Sequence, residues 1–219
     1  MRPLSVLFWL ILSSRVLACD LALVLAVDVS GSVDRQEFRM QMDGLAAALR
    51  DGLVVDALVD QQGAVSLIQW SGSSRQRQTL PWTHMKRASD VYAFADRIAE
   101  DPRVWQNYST AVGEALDLAV ESFEDVPMCR RRVIDVSGDG ISNEGEPPET
   151  KRPILDAQGI TVNALAIETG DEDLTAYFYE KVIYGEGAFV ITASGFEEYP
   201  EQIRRKLQRE TTRQVSRLE

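Results

Sequence analysis

The chain has 219 residues, 45% hydrophobic and 26% charged, which suits one globular domain with a sizeable core and excludes a disordered or low-complexity chain. Its formal net charge of −11 repels phosphate backbones, which argues against nucleic acid as a partner, and attracts divalent cations. No self-similarity of the length that builds solenoids or propellers is present.

Residues 1–18 have the layout of a secretory signal peptide. Arg2 is a positive start, 6–12 is an apolar run, and Val16-Leu17-Ala18 offers a small-residue cleavage site. The run falls well short of the ~20 apolar residues that span a membrane. The expectation is an exported protein, periplasmic or secreted, with a domain over 19–212 and a short tail over 213–219. Cleavage removes Arg2 and Arg15 and no acid, which moves the net charge from −11 to −13. Two cysteines then remain, Cys19 and Cys129. Export suggests a disulfide. A lipid on Cys19, as in bacterial lipoproteins, is the rival reading, although Val16 and Leu17 suit a lipoprotein signal poorly; two free thiols is the third.

Along the chain, 21–27 is a continuous apolar run, the mark of a strand covered on both faces. Phe38, Met42, Leu45 and Leu49 follow at helical spacing, with Ser32 placed to cap that helix. A second buried strand is predicted over 64–70. A short edge strand follows over 76–82, where polar alternation and Pro81 fit an unpaired edge. Val91, Phe94 and Ile98 form a helical stripe. A polar loop, 101–109, opens into a helix beginning at Thr110. Then come a strand over 133–136, a helix over 149–157 stopped by Gly159, a strand over 160–167, a helix over 174–183, a strand over 188–191 and a closing helix over 196–209. Strands alternating with helices predict a three-layer α/β/α sandwich. Its sheet is doubly wound, mostly parallel and six-stranded, with one short antiparallel edge strand.

In such sheets ligands bind beyond the carboxyl ends of the strands. "DVSGS" places Asp28, Ser30 and Ser32 at that edge, and "SGDGISNEG" places Asp139 there. By itself Asp-x-Ser-x-Ser also reads as a helix cap. Adding Asp139 and Thr110 gives three hydroxyls and two carboxylates in one crevice. That is an all-oxygen environment suited to a hard cation such as Mg²⁺. No cysteine is near and the single histidine, His84, lies elsewhere, which disfavours zinc or copper. The glycines of "SGDGISNEG" do not complete a dinucleotide fingerprint, because Asn143 stands where its third glycine would be.

"DVSGS", "STAVGEAL" and "VIDVSGDGISN" together resemble the von Willebrand factor type A domain over roughly 21–209. Through "VIDVSGDG" and "FVITASGF" the chain is most similar to an uncharacterised group of exported bacterial members. That resemblance implies a metal-ion-dependent adhesion site whose ligands map onto Asp28, Ser30, Ser32, Thr110 and Asp139. It implies Mg²⁺ or Mn²⁺, and a binding module in which an acidic side chain of a partner protein completes the metal shell. Trp105 and Tyr108, just before Thr110, are candidates for a partner-contacting rim or for loop packing. The family's sheet order makes the first strand and the "VIDVSGDG" strand neighbours. Cys19 lies nine residues before Asp28 and Cys129 ten before Asp139, so the resemblance brings the cysteines to the opposite edge side by side, within reach of a Cys19–Cys129 disulfide.

The alternative from a different class is a metal-dependent phosphohydrolase of haloacid-dehalogenase-like type. It would need a second acid where Ser30 stands, and a phosphate-binding lysine that none of Lys86, Lys151, Lys181 and Lys206 is placed to supply. No catalytic residue is predicted. A site that serves stability alone is a third reading.

Overall fold

The computed structural model describes residues 19–212, so the predicted signal peptide and the tail over 213–219 lie outside the described residues. Six strands form one sheet in the order β3-β2-β1-β4-β5-β6. They are β1 (Cys19–Asp28), β2 (Ala64–Trp70), β3 (Gln76–His84), β4 (Cys129–Gly138), β5 (Ile160–Ile167) and β6 (Val190–Ala193). All neighbours are parallel except β2 and β3.

β1 is buried along nearly its whole length because both of its faces are covered. Leu21, Leu23, Leu25 and Val27 face one helical layer, built from α1 (Arg35–Leu49), α2 (Gly52–Asp60), α3 (Ala88–Glu100) and α7 (Tyr199–Thr211). Ala22, Val24 and Ala26 face the other, built from α4 (Val112–Ser122), α5 (Arg152–Ala157) and α6 (Leu174–Tyr177). The period-two alternation of large and small side chains sets which layer each residue meets.

Several boundaries differ from the sequence reading. Ser32 does not cap α1. Asp34 does, accepting from the amides of Gln36 and Glu37 while Glu37 reaches back to the Asp34 amide. Thr110 precedes α4, which starts at Val112. The short helix α2 was not foreseen, and the helix expected over 174–183 is α6 continued by a wider turn over Phe178–Val182. β4 is ten residues long where four were expected, because Arg130, Arg131 and Arg132 interrupt the apolar signal at its solvent end.

One register organises the sheet. β1 and β4 pair with a constant offset from Cys19↔Cys129 to Val27↔Ser137. At one end the two cysteines form a disulfide with Cα atoms 4.4 Å apart, so Cys19 Sγ is bonded to Cys129 rather than free to carry a lipid. At the other end the same register brings Asp28 level with Gly138, one residue short of Asp139.

Between these ends β4 buries Asp135 against α7. Lys206 Nζ, itself fully buried, contacts Asp135 Oδ1 at 2.5 Å and Glu210 Oε1 at 2.6 Å. Two acids and one ammonium leave a surplus negative charge. Burial, and then the Asp135 charge, push the Glu210 carboxyl up to about 8, so it holds its proton where an exposed glutamate would not. Other polar or aromatic neighbours are the fully buried Tyr199, Arg131 on β4, and Phe189, over whose ring Lys206 and Arg209 sit.

Three outcomes follow for stability. Replacing both cysteines with serine opens a closed loop spanning 110 residues, and urea unfolding should register a loss of about 4–5 kcal/mol by chain entropy. Lys206→Met strands two buried carboxyl groups and should cost about 3–5 kcal/mol. Because the Glu210 pKa is raised from 4.5 to about 8, the folded state binds the extra proton and stability falls as pH rises through that window. Glu210→Gln should flatten that fall in melts recorded across the window; an unchanged slope would contradict it.

Candidate metal centre

The C-terminal edges of β1 and β4 carry the site. Asp28, the last residue of β1, is fully buried, and its Oδ1 accepts the Ser30 amide at 2.7 Å. From there the polar side chains run in sequence. Ser30 Oγ lies 3.3 Å from Ser32 Oγ and receives the Thr110 hydroxyl at 3.3 Å, and Ser32 Oγ donates to Asp139 Oδ1 at 2.7 Å. All five residues singled out in the sequence are therefore in one crevice, although they come from three separate stretches of chain.

The surrounding scaffold consists of residues that the sequence reading passed over. Gln41 on α1 donates to the Asp28 carbonyl at 3.1 Å. Arg103 Nη2 donates to the carbonyls of Val29 and Ser30 at 2.9 and 2.8 Å, clamping the turn that follows Asp28. Gln69, at the end of β2, holds the loop that carries Arg103, donating to Asp101 and the Pro102 carbonyl and accepting the Val104 amide. Asn143 brackets Thr110, accepting its amide at 3.0 Å while its own amide donates to the Thr110 carbonyl at 2.9 Å. Asn143 stood inside a quoted motif and its amide could have been read as a turn-former; for Arg103 and Gln69 no sequence pattern gives a signal.

Two glycines make room. A Cβ on Gly138 would sit 3.0 Å from Asp28 Oδ2, so any side chain there would crowd the acid and push it from its position. A Cβ on Gly31 would sit 3.1 Å from the Tyr108 carbonyl, which accepts the Gly31 amide at 2.8 Å. That contact ties the 101–109 loop to the serine turn.

The electrostatics are unbalanced. Burial, and then the neighbouring Asp139 charge, push the Asp28 carboxyl up to about 7. Burial raises Asp139 as well. Arg103, the cation nearest in effect, has committed donors to backbone carbonyls rather than to either carboxylate. Asp28 Oδ2 is buried with no hydrogen-bond partner among the described residues. A buried carboxyl with an orphaned oxygen, in the same crevice as a second acid and three hydroxyls, is the chemistry that a hard divalent cation completes, so the residues present fit such an ion.

With the geometry in place, comparison with known proteins is informative. A family described as "Protein of unknown function (DUF1194)" matches residues 18–215. The chain belongs to that family. Its fold is the von Willebrand factor type A fold. Proximal thread matrix protein 1 from the mussel byssus is 20% identical in the structure titled as having a zinc-occupied MIDAS motif; the TM-score is 0.67, over 86% of this chain and 48% of that one. A von Willebrand factor type A protein from Catenulispora acidiphila is 18% identical with a TM-score of 0.63, over 88% of this chain and 43% of that one. BatB from Bacteroides thetaiotaomicron is 20% identical with a TM-score of 0.55, over 86% of this chain and 98% of that one. The chain thus spans about half the length of the mussel protein. No curated protein matches it in sequence. Among the described residues, no helix of this DUF1194 member is long and apolar enough to cross a membrane.

The raised Asp28 pKa has a testable sign. Between the ordinary 3.8 and about 7 the folded state binds a proton that the unfolded chain has lost, so without divalent ions stability falls as pH rises through that window. In EDTA, Asp28→Asn should remove this dependence and melt higher than wild type above about pH 7; an Asn variant that melts lower there would contradict the charge imbalance.

Proposed function

We propose that this DUF1194 member is an exported, non-enzymatic binding module. It holds Mg²⁺ or Mn²⁺ through Asp28, Ser30, Ser32, Thr110 and Asp139, directly or through water, and uses the ion to capture an acidic group of a partner protein. The observation that carries this reading is the buried, unpartnered Asp28 Oδ2 set beside Asp139 and three hydroxyls. A bound divalent ion supplies a Lewis-acidic position that a carboxylate can fill. The three hydroxyls add no charge and are weak donors, so the ion remains a Lewis acid for a stronger oxygen ligand at short range. The mussel structure titled with a zinc-occupied MIDAS motif supports a metal at the corresponding place in this fold. Export rests on the leader-like stretch over 1–18 and is consistent with the Cys19–Cys129 bridge.

The positions of the lysines weigh against phosphoryl transfer. Lys151 is paired with Asp117 and Glu146, Lys181 with Glu149, and Lys206 is sealed in the core with Asp135 and Glu210. Lys86 lies by the disulfide, at the opposite edge of the sheet.

Calorimetry should detect Mg²⁺ binding to wild type and none to Asp28→Ala or Asp139→Ala. At a hundredfold excess over Kd, the ion should stabilise wild type by about 2.7 kcal/mol. Affinity capture from an envelope extract should recover a partner with Mg²⁺ present, and lose it with EDTA or with Asp28→Ala. Unchanged Mg²⁺ affinity in both alanine variants would sink the metal assignment, and turnover of phosphate esters would replace the module with a hydrolase.

A further inference from the structure

The rim of the site carries a feature that the ligand set does not use. Four side chains, two from the 101–109 loop, one from the turn before β3 and one from β3 itself, interleave cation with ring. The Arg75 guanidinium lies 3.7 Å from the centre of the Tyr108 ring. Tyr108 meets Trp105 edge-on at 6.5 Å, and the Arg77 guanidinium lies 5.2 Å from the Trp105 ring. Tyr108 is 42% exposed and Arg77 is exposed, whereas Trp105 is half-buried and also packs on the core. The strip is bonded to the site itself, because the Tyr108 carbonyl accepts the amide of Gly31, between Ser30 and Ser32.

Neither arginine has a carboxylate partner among the described residues, in a chain with 34 acids against 23 bases. Elsewhere on the surface Arg39, Arg50, Arg87, Arg204 and Arg205 each face an acid. On the neighbouring loop Glu144 accepts the Ser73 amide at 2.9 Å instead of pairing with Arg75 or Arg77. Arg75 gives one hydrogen bond, to the Ser73 carbonyl at 3.0 Å, and Arg77 gives none to the described residues. Stacking on an aromatic face fixes a guanidinium while leaving its in-plane donors open.

We infer that this Arg77–Trp105–Tyr108–Arg75 strip is the docking surface for an acidic peptide segment, whose second carboxylate the arginines take while the first completes the metal shell. The inference rests on the metal-module reading and names its partner's chemistry. Local charge selects that occupant. Asp28 and Asp139 already neutralise a divalent ion, so the centre has no net positive charge with which to draw in a third carboxylate. The field of the whole chain, at −11, opposes an acidic partner. Screening confines charge effects to about 8–10 Å, so nearby cations decide the local sign. The unpaired arginines supply it, and their planar forks match a carboxylate with two parallel hydrogen bonds. Single-stranded nucleic acid, which also uses cations and rings, is disfavoured because Arg75 already occupies one face of Tyr108 and the chain as a whole is acidic.

The test uses a fluorescein-labelled peptide of alternating Glu and Gly, with a Gln/Gly peptide as control, read by polarisation in Mg²⁺ and in EDTA. Wild type should bind the Glu peptide in Mg²⁺ and ignore the control. The double variant Arg75→Gln/Arg77→Gln should bind it about tenfold or more weakly, with a shallower salt dependence. Calorimetric Mg²⁺ affinity and the melting temperature should stay at wild-type values, because neither arginine touches the metal ligands. Asp28→Ala should lose Mg²⁺ and peptide together, which separates failure of the metal site from failure of the strip. Equal peptide affinity in the double variant, or no binding by a wild type that calorimetry shows loaded with Mg²⁺, would overturn the inference. Preferential uptake of an oligothymidine would also overturn it. So would Mg²⁺-dependent dimerisation without peptide uptake, which would assign the strip to a second copy of this chain.

Discussion

The parallel register between β1 and β4 is the constraint on which the rest of the structure hangs. Its constant offset brings Cys19 opposite Cys129 at one edge and sets Asp139 just past Asp28 at the other. A slip of one residue would turn alternate side chains to the wrong layer and separate both pairs at once. The disulfide therefore does more than close a long loop: it holds the far end of the register that aligns the two acids. The buried Asp135, midway along β4, is carried to α7 by the same alignment.

Two clusters of buried acid flank that central pair of strands, and they are neutralised differently. Around Asp135 the fold supplies its own cation, Lys206, and leaves Glu210 to keep a proton. Around Asp28 and Asp139 it supplies hydroxyls and an arginine whose hydrogen bonds go to backbone carbonyls. The first arrangement contains its own bonded cation and a retained proton and ties a helix to the sheet, although Asp135 Oδ2 and Glu210 Oε2 also lack hydrogen-bond partners among the described residues. The second leaves Asp28 Oδ2 without a partner among the described residues as well, and the arginine acting on it bonds backbone carbonyls instead, a condition that a protein interior tolerates poorly unless something from outside resolves it. The contrast between a cluster with a bonded ammonium and one without is the physical basis for reading the second as a ligand site.

Much of the architecture could be read in advance where a strand is covered on both faces. β1 is an unbroken apolar run over 21–27, β2 and β5 are mainly apolar and buried, and the edge strand β3 declared itself through polar alternation and Pro81. The misreadings fall where local pattern and tertiary context disagree. Three arginines hid the first half of β4, since their charges reach solvent while their backbone pairs with β1. Ser32 resembled a cap, but its hydroxyl is turned to Asp139 and Asp34 fills the capping position. β6 starts two residues later than its apolar run, because its pairing with β5 rather than its own composition sets where it begins.

The five oxygen-bearing residues were visible in the sequence because their types and order form a motif, and the order of strands and helices placed them at one edge of a parallel sheet. The sequence could also count the cysteines, the excess of acids and the aromatic pair before Thr110. Only the tertiary structure decided which oxygen lacks a partner, that Arg103, Gln69 and Asn143 hold the loops around it, and that Arg75 and Arg77 stack on the two rings. Motifs record which groups are present along a line. Burial, pairing and stacking are properties of groups brought together from distant parts of the chain, and they exist only once the sheet has set its register.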